Sequence, residues 1–375
     1  MRDVRLALAG NPNSGKTTVF NLLTGARQRV GNYPGITVDR KEGAFAFQGG
    51  EARVVDLPGC YSLTSYSPEE VVARDVLLRE RPHAVIQVVD AGALERNLYL
   101  TVQLLELGVP VVLALNMLDE VKRKGLHINS TLLSRLLAVP VVETVARDGK
   151  GKAELIVEAV AHARETQGVA EPLVISYGAD LDAALLEMVE IIAARGLLPN
   201  QPARWTAVKC LEGDEAVMAE LRAASPATAD RIAAIVERER AHCQRTLDTW
   251  PEAIIADQRY GHIAAILRQG VLTRDARQSR LDLTARLDRV LTQRVLGPAI
   301  MLAVLYGVFW LTFSVGEMPM GWLEAGFGWL DEVVEGALPE GLFRSLLVSG
   351  VIDGVGGVLG FFPLIVVMFM ALTFL

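Results

Sequence analysis

Gly10-Asn11-Pro12-Asn13-Ser14-Gly15-Lys16-Thr17 fits the phosphate-binding pattern G-x-x-x-x-G-K-[ST] without a gap. The run before it, Val4-Arg5-Leu6-Ala7-Leu8-Ala9, has strand length and strand character. After it, Thr18-Val19-Phe20-Asn21-Leu22-Leu23 reads as the first turns of a helix. The pattern needs that strand–loop–helix context, because its glycines let backbone N–H groups turn inward around a phosphate at the positive end of the helix dipole. In such a loop Lys16 reaches the β- and γ-phosphates and the Thr17 hydroxyl holds Mg²⁺. A nucleotide site is expected here.

Working outward, Arg27-Gln28-Arg29-Val30-Gly31-Asn32-Tyr33-Pro34-Gly35-Ile36-Thr37 is polar and turn-rich and reads as a mobile loop. Ala44 to Gln48 and Ala52 to Asp56 flank Gly49-Gly50 as a β-hairpin. The second strand runs into Asp56-Leu57-Pro58-Gly59, about forty residues after Lys16, where an aspartate suits a water-mediated hold on Mg²⁺ and the Gly59 N–H suits a γ-phosphate. Ala84 to Asp90 and Val111 to Leu115 are apolar runs of buried parallel-strand type, and Leu94 to Leu107 between them has helical spacing. The second run ends in Asn116-Met117-Leu118-Asp119. A carboxylate placed there accepts from N1 and N2 of guanine and would be left unpaired by adenine. A strand from Val139 to Ala146 and a helix from about Gly151 to Glu165 complete an alternating β/α pattern.

The formal net charge of -7 and pI of 5.4 argue against nucleic acid as the main partner, which calls for a basic face. Cys60, Cys210 and Cys243 lie far apart and imply neither a zinc site nor a disulfide framework. The mean hydropathy of +0.30 is high, with the excess after about residue 295. No secretory signal precedes the first strand, so the nucleotide domain is expected in the cytoplasm.

The order GNPNSGKT, GNYPGIT, DLPGCYSL and NMLD resembles the cytoplasmic G domain of FeoB-type ferrous iron transporters. Ser67-Pro68-Glu69-Glu70 with Ala73-Arg74-Asp75, and Leu94 to Leu100, are similar to that family's second switch and following helix. The resemblance implies GTP and GDP as ligands, contacted by Gly10 through Thr18, by Gly35, Ile36 and Thr37, by Asp56 through Gly59, and by Asn116, Met117, Asp119, Val145, Ala146 and Arg147. It assigns Mg²⁺ to Thr17, Thr37 and Asp56, and a hydrolysis-assisting K⁺ to Asn13. Asn13, Lys16, Thr37 and Gly59 become the catalytic set, and the Ala146 N–H would meet the guanine O6. Three positions depart from the general small-GTPase pattern. Met117 replaces a lysine that packs on the base, Val145 replaces a serine, and Cys60 replaces the glutamine that orients water. Modest affinity and slow, K⁺-supported hydrolysis are expected.

Beyond Gly168-Val169-Ala170-Glu171-Pro172, a linker, Asp180 to Arg195 and Asp230 to Gln244 show helical spacing, broken by Pro199, Pro202 and Pro226. Asp257-Gln258-Arg259-Tyr260, with Ile263 and Ile266, resembles the end of the family's nucleotide-release-modulating helical domain. His242 and His262 lack metal-ligand spacing. Arg286, Arg289 and Arg294 precede Leu296 to Val315, about twenty residues and long enough to span a bilayer. Glu317 to Gly341 carries acids but no lysine or arginine. The positive-inside rule makes it an external loop, with Trp322, Phe327 and Trp329 lying on the outer interface. The glycines from Gly350 to Leu359 read as a break beside a second span, Phe361 to Leu375; helix packing accounts for them equally well, and Asp353 is their one acid.

The expected architecture is an α/β P-loop GTPase domain over 1–166, a small all-α domain with its linkers over 167–290, and the start of a polytopic transmembrane α-helical domain over 291–375. The chain stops within an apolar run, as the amino-terminal part of a longer protein would. The reading is a GTP-hydrolysing module gating an inner-membrane Fe²⁺ permease, with the lipid bilayer, small accessory proteins of the same system and further copies of the chain as partners. A membrane-anchored regulatory GTPase, a transporter of Mn²⁺ or Zn²⁺, and an RNA-associated GTPase of the Era type are the alternatives; the acidic balance and the spans count against the last.

Overall fold

A computed structural model describes residues 3–25, 28–32, 39–64, 67–274, 291–294, 296–339 and 341–374. Two compact units divide the chain, Met1–Ser279 and Arg280–Leu375.

In the first unit the apolar runs become central parallel strands. β1 (Asp3–Gly10) pairs with β4 (Gly50–Asp56) on one side and with β5 (Ala84–Asp90) on the other, and β6 (Val111–Asn116) follows. Val85, Ile86, Val88 and Val112 have no exposed surface, as expected of strands covered on both faces. β3 (Asp39–Phe47) and β4 form the expected hairpin, with Gly49 at φ +100° in its turn. The complete order is β2 (Gln28–Asn32)-β3-β4-β1-β5-β6-β8 (Val141–Glu143), with β7 (Leu126–Ile128) outside this sheet.

Two strand readings need correction. Residues 28–32, read as part of a loop, form β2 (Gln28–Asn32), antiparallel to β3. Backbone pairing makes this edge strand, and its side-chain pattern gave no period of two. Thr37, Gly35 and Ile36 lie outside the described residues. The last strand, β8, is only Val141–Glu143 rather than Val139 to Ala146. Pro140 has no N–H to give a ladder, and after Thr144 the chain turns tightly through Ala146–Asp148 to Gly149 at φ +73°.

α1 (Lys16–Thr24), α2 (Pro68–Asp75), α3 (Leu94–Glu106), α4 (Leu118–Arg123), α5 (Ser130–Leu137) and α6 (Lys152–Thr166) flank the sheet elements. α2 starts at a capping box in which Ser67 and Glu70 bond each other's backbone. Beyond it lie α7 (Ala179–Ala193), α8 (Ala203–Leu211), α9 (Glu215–Ala224), α10 (Pro226–Leu247) and α11 (Pro251–Ile266). These helices share one apolar core with the sheet, running from Val85 and Leu98 through Tyr177 and Trp205 to Ile263.

That joint also holds buried charge. Arg259, with no exposed surface, donates through Nε to Glu106 Oε2 (2.9 Å) and pairs with Glu212. Lys209 Nζ reaches Glu212 Oε2 at 2.7 Å, and the Tyr177 hydroxyl donates to Glu106. Two cations thus meet two carboxylates. Burial alone would raise the Glu212 pKa, but Lys209 and Arg259 outweigh it and hold the carboxyl below its ordinary value.

The second unit contains one continuous helix, Leu296–Ala337, of 42 residues. The expected external loop from Glu317 is therefore the continuation of the first apolar helix, with Pro319 inside it. Glu317, Glu324, Asp331 and Glu335 recur at sevens and a four, so they share one helical face instead of marking a loop. A second apolar helical run follows, Leu342–Thr373. The Gly350 to Leu359 stretch is helical and forms no break. A Cβ at Gly356 would lie 3.0 Å from the Phe327 ring, and one at Gly316 would lie 2.7 Å from the Leu364 side chain. These two glycines serve close helix approach. Asp353, Glu324 and Asp331 line one 370 Å³ cavity between the two runs. Arg286 and Arg289 lie outside the described residues.

Replacing Arg259 by Met leaves two buried carboxylates with one cation and is expected to cost about 3–5 kcal/mol in denaturant unfolding. Adding Glu106→Gln restores part of it. Because the folded Glu212 carboxyl is held low, its stabilising contribution is complete above the unfolded carboxylate range and is lost as pH falls through its lowered value. The gap between the parent and Arg259→Met therefore narrows on acidification, and a constant gap from pH 7 to pH 4 would contradict the ionic account.

Candidate nucleotide site

Parallel register brings the three motifs to one edge. Leu8 lies beside Asp56, Gly10 beside Val88, and Asp90 beside Asn116, so β1, β4 and β6 all deliver their carboxyl ends to the same side. The phosphate loop turns there through Asn13 at φ +67° and Gly15 at φ +85°, closed by the Ser14 N–H donating to the Asn11 carbonyl (3.2 Å). A Cβ on Gly15 would stand 2.4 Å from Asn116 Nδ2, so only glycine fits. Thr17 and Thr18 are exposed on the first turn of α1.

Lys16 and Asp56 form an ion pair with 12% and 7% of their side chains exposed. The two charges neutralise each other. The segment after Asp56 lies on the phosphate loop. The Leu57 N–H donates to the Leu8 carbonyl (2.9 Å) and the Cys60 N–H to the Gly10 carbonyl (3.3 Å), while Gly59 packs on Pro12. Leu57 turns into the core and Pro58 is half-buried.

Asn116 ties the loops together. Its Nδ2 donates to the Ser14 carbonyl (3.1 Å), and its Oδ1 accepts from the Ala146 N–H (3.0 Å) and the Thr144 hydroxyl (3.4 Å). The Ala146 donor is thus engaged within the protein. Val145 bridges to Lys150 beneath it. Met117, at φ +63°, caps α4 and lies over Gly15. Asp119, 30% exposed, accepts at Oδ2 from Arg123 (3.1 Å) and Arg147 (3.3 Å). Arg123 was not read from the sequence, although its i+4 spacing from Asp119 was available as a signal.

Thr17 and Asp56 supply few protein ligands, and among the described residues no group of three or more His, Cys, Asp or Glu could hold a metal ion. That donor set fits Mg²⁺, which keeps waters and binds with phosphate oxygens. Asn13 is exposed beside them and has an amide oxygen that could serve as a single K⁺ ligand. Burial, aided by Glu70, pushes the Cys60 thiol up to about 12, so it stays neutral and offers no base for water.

A family model described as Ferrous iron transport protein B matches residues 4–159, and one described as FeoB cytosolic helical domain matches residues 177–271. A crystal structure of an S. thermophilus NFeoB mutant bound to GDP superposes with a TM-score of 0.64 and 40% identity, over 72% of this chain and 100% of that one. The chain belongs to the FeoB family. The Fe(2+) transport protein A/Fe(2+) transporter FeoB fusion protein of Porphyromonas gingivalis is 42% identical over 371 residues, 98% of this chain and 43% of that protein. The Fe(2+) transporter FeoB of Salmonella choleraesuis is 38% identical over 391 residues, 100% of this chain and 48% of that protein. The chain spans about half the length of the curated relatives it matches.

Beyond the motif residues, Thr64 and α2 are joined to the helices that follow the sheet. Arg74 Nη1 meets Asp214 Oδ2 at 2.8 Å, both fully buried, and Lys209 Nζ donates to Thr64 Oγ1 at 3.2 Å. No local pattern announces pairs 140 and 145 residues apart.

Iodoacetamide at pH 8 is expected to leave Cys60 and Cys210, both pushed up to about 12 by burial, unmodified in the folded chain and to label both in denaturant. Peptide mass spectrometry reads this. Rapid labelling of folded Cys60 would show an exposed, reactive thiol beside the site.

Proposed function

We propose that this chain is the GTP-binding and GTP-hydrolysing part of a bacterial inner-membrane Fe²⁺ uptake transporter, and that its nucleotide state gates the permease. The observation that carries the reading is Asn116, which holds the phosphate loop and the Asp119 segment in one site. Asp119 selects guanine through its N1 and N2 donors, leaving Arg147 or Arg123 to keep the carboxylate oriented. Lys16 exchanges Asp56 for phosphate oxygens, and Thr17 and Asp56 are the Mg²⁺ partners, with Thr37 from the segment outside the described residues. When bound, Mg²⁺ and K⁺ supply positive charge against the transferring phosphoryl group. Asn13 holds the K⁺, and the Gly59 N–H meets the γ-phosphate. With a neutral, buried Cys60 in the water-orienting position, intrinsic hydrolysis is slow and the module acts as a timer.

Gating is supported by the bonds from the second switch to the helical part, Arg74 to Asp214 and Thr64 to Lys209. G domain 1–166 and helical domain 167–290 face the cytoplasm, and the two apolar helical runs begin the multi-pass membrane domain over 291–375. Fe²⁺ is the transported substrate, and small accessory proteins of the same system and further copies of the chain are the protein partners.

Asp119→Asn is expected to weaken GTP binding about 10- to 100-fold, to favour xanthosine nucleotides, and to lower Fe²⁺ uptake by the full-length transporter in parallel. Binding titrations and radiolabelled iron uptake read the two effects. Normal uptake without GTP binding would break the coupling.

A further inference from the structure

Asn11 is held in an unusual state. It is 1% exposed, and neither its side-chain oxygen nor its side-chain nitrogen has a hydrogen-bond partner. Among the described residues it is the one amide with both polar atoms buried and unpaired. Asn116, equally buried in the same site, bonds through both. A buried carboxamide without partners is costly, and in a native site it points to a second arrangement in which the bonds are made.

The structure also indicates where those partners lie. The backbone of Asn11 is pinned by the Ser14 N–H, and its two neighbours both touch the segment after Asp56. Gly10 accepts the Cys60 N–H at a long 3.3 Å, and a Cβ at Gly59 would lie 3.6 Å from Pro12. On its other side Gly10 is closed off, since a Cβ there would lie 2.7 Å from the Val88 carbonyl. The Gly59 N–H and the carbonyls of Leu57, Pro58 and Gly59 take no hydrogen bond among the described residues. The residues on both sides of the unpaired amide therefore meet a segment of unpaired backbone groups, in an arrangement where Lys16 is still paired with Asp56.

We propose that Asn11 is a positioning residue, whose carboxamide bonds the backbone of the Leu57–Cys60 segment and latches it once the Gly59 N–H is drawn to a γ-phosphate. The latch rests on the nucleotide reading above. The Asn11 backbone belongs to the phosphate loop, and its side chain acts through Gly59. Donor and acceptor of the amide both find use only in the latched arrangement, so the unlatched loop is kept from settling into an equally stable state.

The test uses the full chain in detergent with a non-hydrolysable GTP analogue and Mg²⁺. Hydrogen exchange of the peptide covering Gly59 and Cys60 is measured with and without the analogue, alongside the unfolding midpoint of the nucleotide-free chain and steady-state hydrolysis. In Asn11→Ala the analogue still binds, its protection of that peptide is lost, and the nucleotide-free midpoint is unchanged or raised. The same variant lowers kcat about tenfold at unchanged KM. Asn11→Ser, which keeps a donor, recovers part of the protection. Full protection in Asn11→Ala would overturn the latch while leaving the nucleotide reading intact. A lowered nucleotide-free midpoint in both variants would make Asn11 an ordinary structural residue. Failure of the parent chain to bind the analogue would overturn both readings.

Discussion

The parallel pairing of β1 with β4 and β5 is the constraint on which the site depends. It sets Leu8 beside Asp56 and carries the ends of β1, β4 and β6 to one edge of the sheet. Lys16 and Asp56, 40 residues apart, then share an ion pair almost out of solvent. Asn116 extends the constraint sideways, since one amide fixes the phosphate loop, Thr144 and Ala146 together. A shift in any of these loops strains the others.

Buried charge has a different role where the helices after Ala179 meet the sheet. A purely apolar joint would bury the same surface with less desolvation. Here Arg259, Lys209, Glu106 and Glu212 satisfy one another, and Arg74 finds Asp214, which also caps α9 through the Ala216 and Val217 N–H groups. Such pairs fix orientation, because each fork accepts only one geometry. Thr64 and Arg74 are thereby tied to α8 and the start of α9. Displacement of Thr64 or Arg74 cannot occur without either breaking that hydrogen bond or buried ion pair or moving the helices as well.

Much of this was legible in the sequence, for reasons that differ from residue to residue. Lys16, Asp56 and Asn116 follow apolar runs by fixed spacing, and a strand end is the one place where such tetrapeptides can meet a ligand. β5 and β6 were legible because strands buried on both faces are dominated by apolar residues, Gln87 being the one polar side chain within β5 before its final aspartate. β2 was not, since an edge strand is made by backbone pairing alone. The bonds of Asn116 to Ala146 and Thr144, and those of Arg74 to Asp214, join segments that only the tertiary fold brings together. The acids from Glu317 to Glu335 misled for another reason. Composition suggested a loop, while their spacing of sevens and a four puts them on one face of a helix that continues to Ala337.

The central claim is that the edge formed by Lys16, Asp56, Asn116 and Asp119 is a guanine-nucleotide site. Calorimetric titration of the unmodified chain with GDP and with ADP, in Mg²⁺, tests it most directly. The account predicts one-to-one binding of GDP and at least about 100-fold weaker binding of ADP, because adenine offers Asp119 no donor pair like the N1 and N2 groups of guanine. Equal affinity for the two would contradict it.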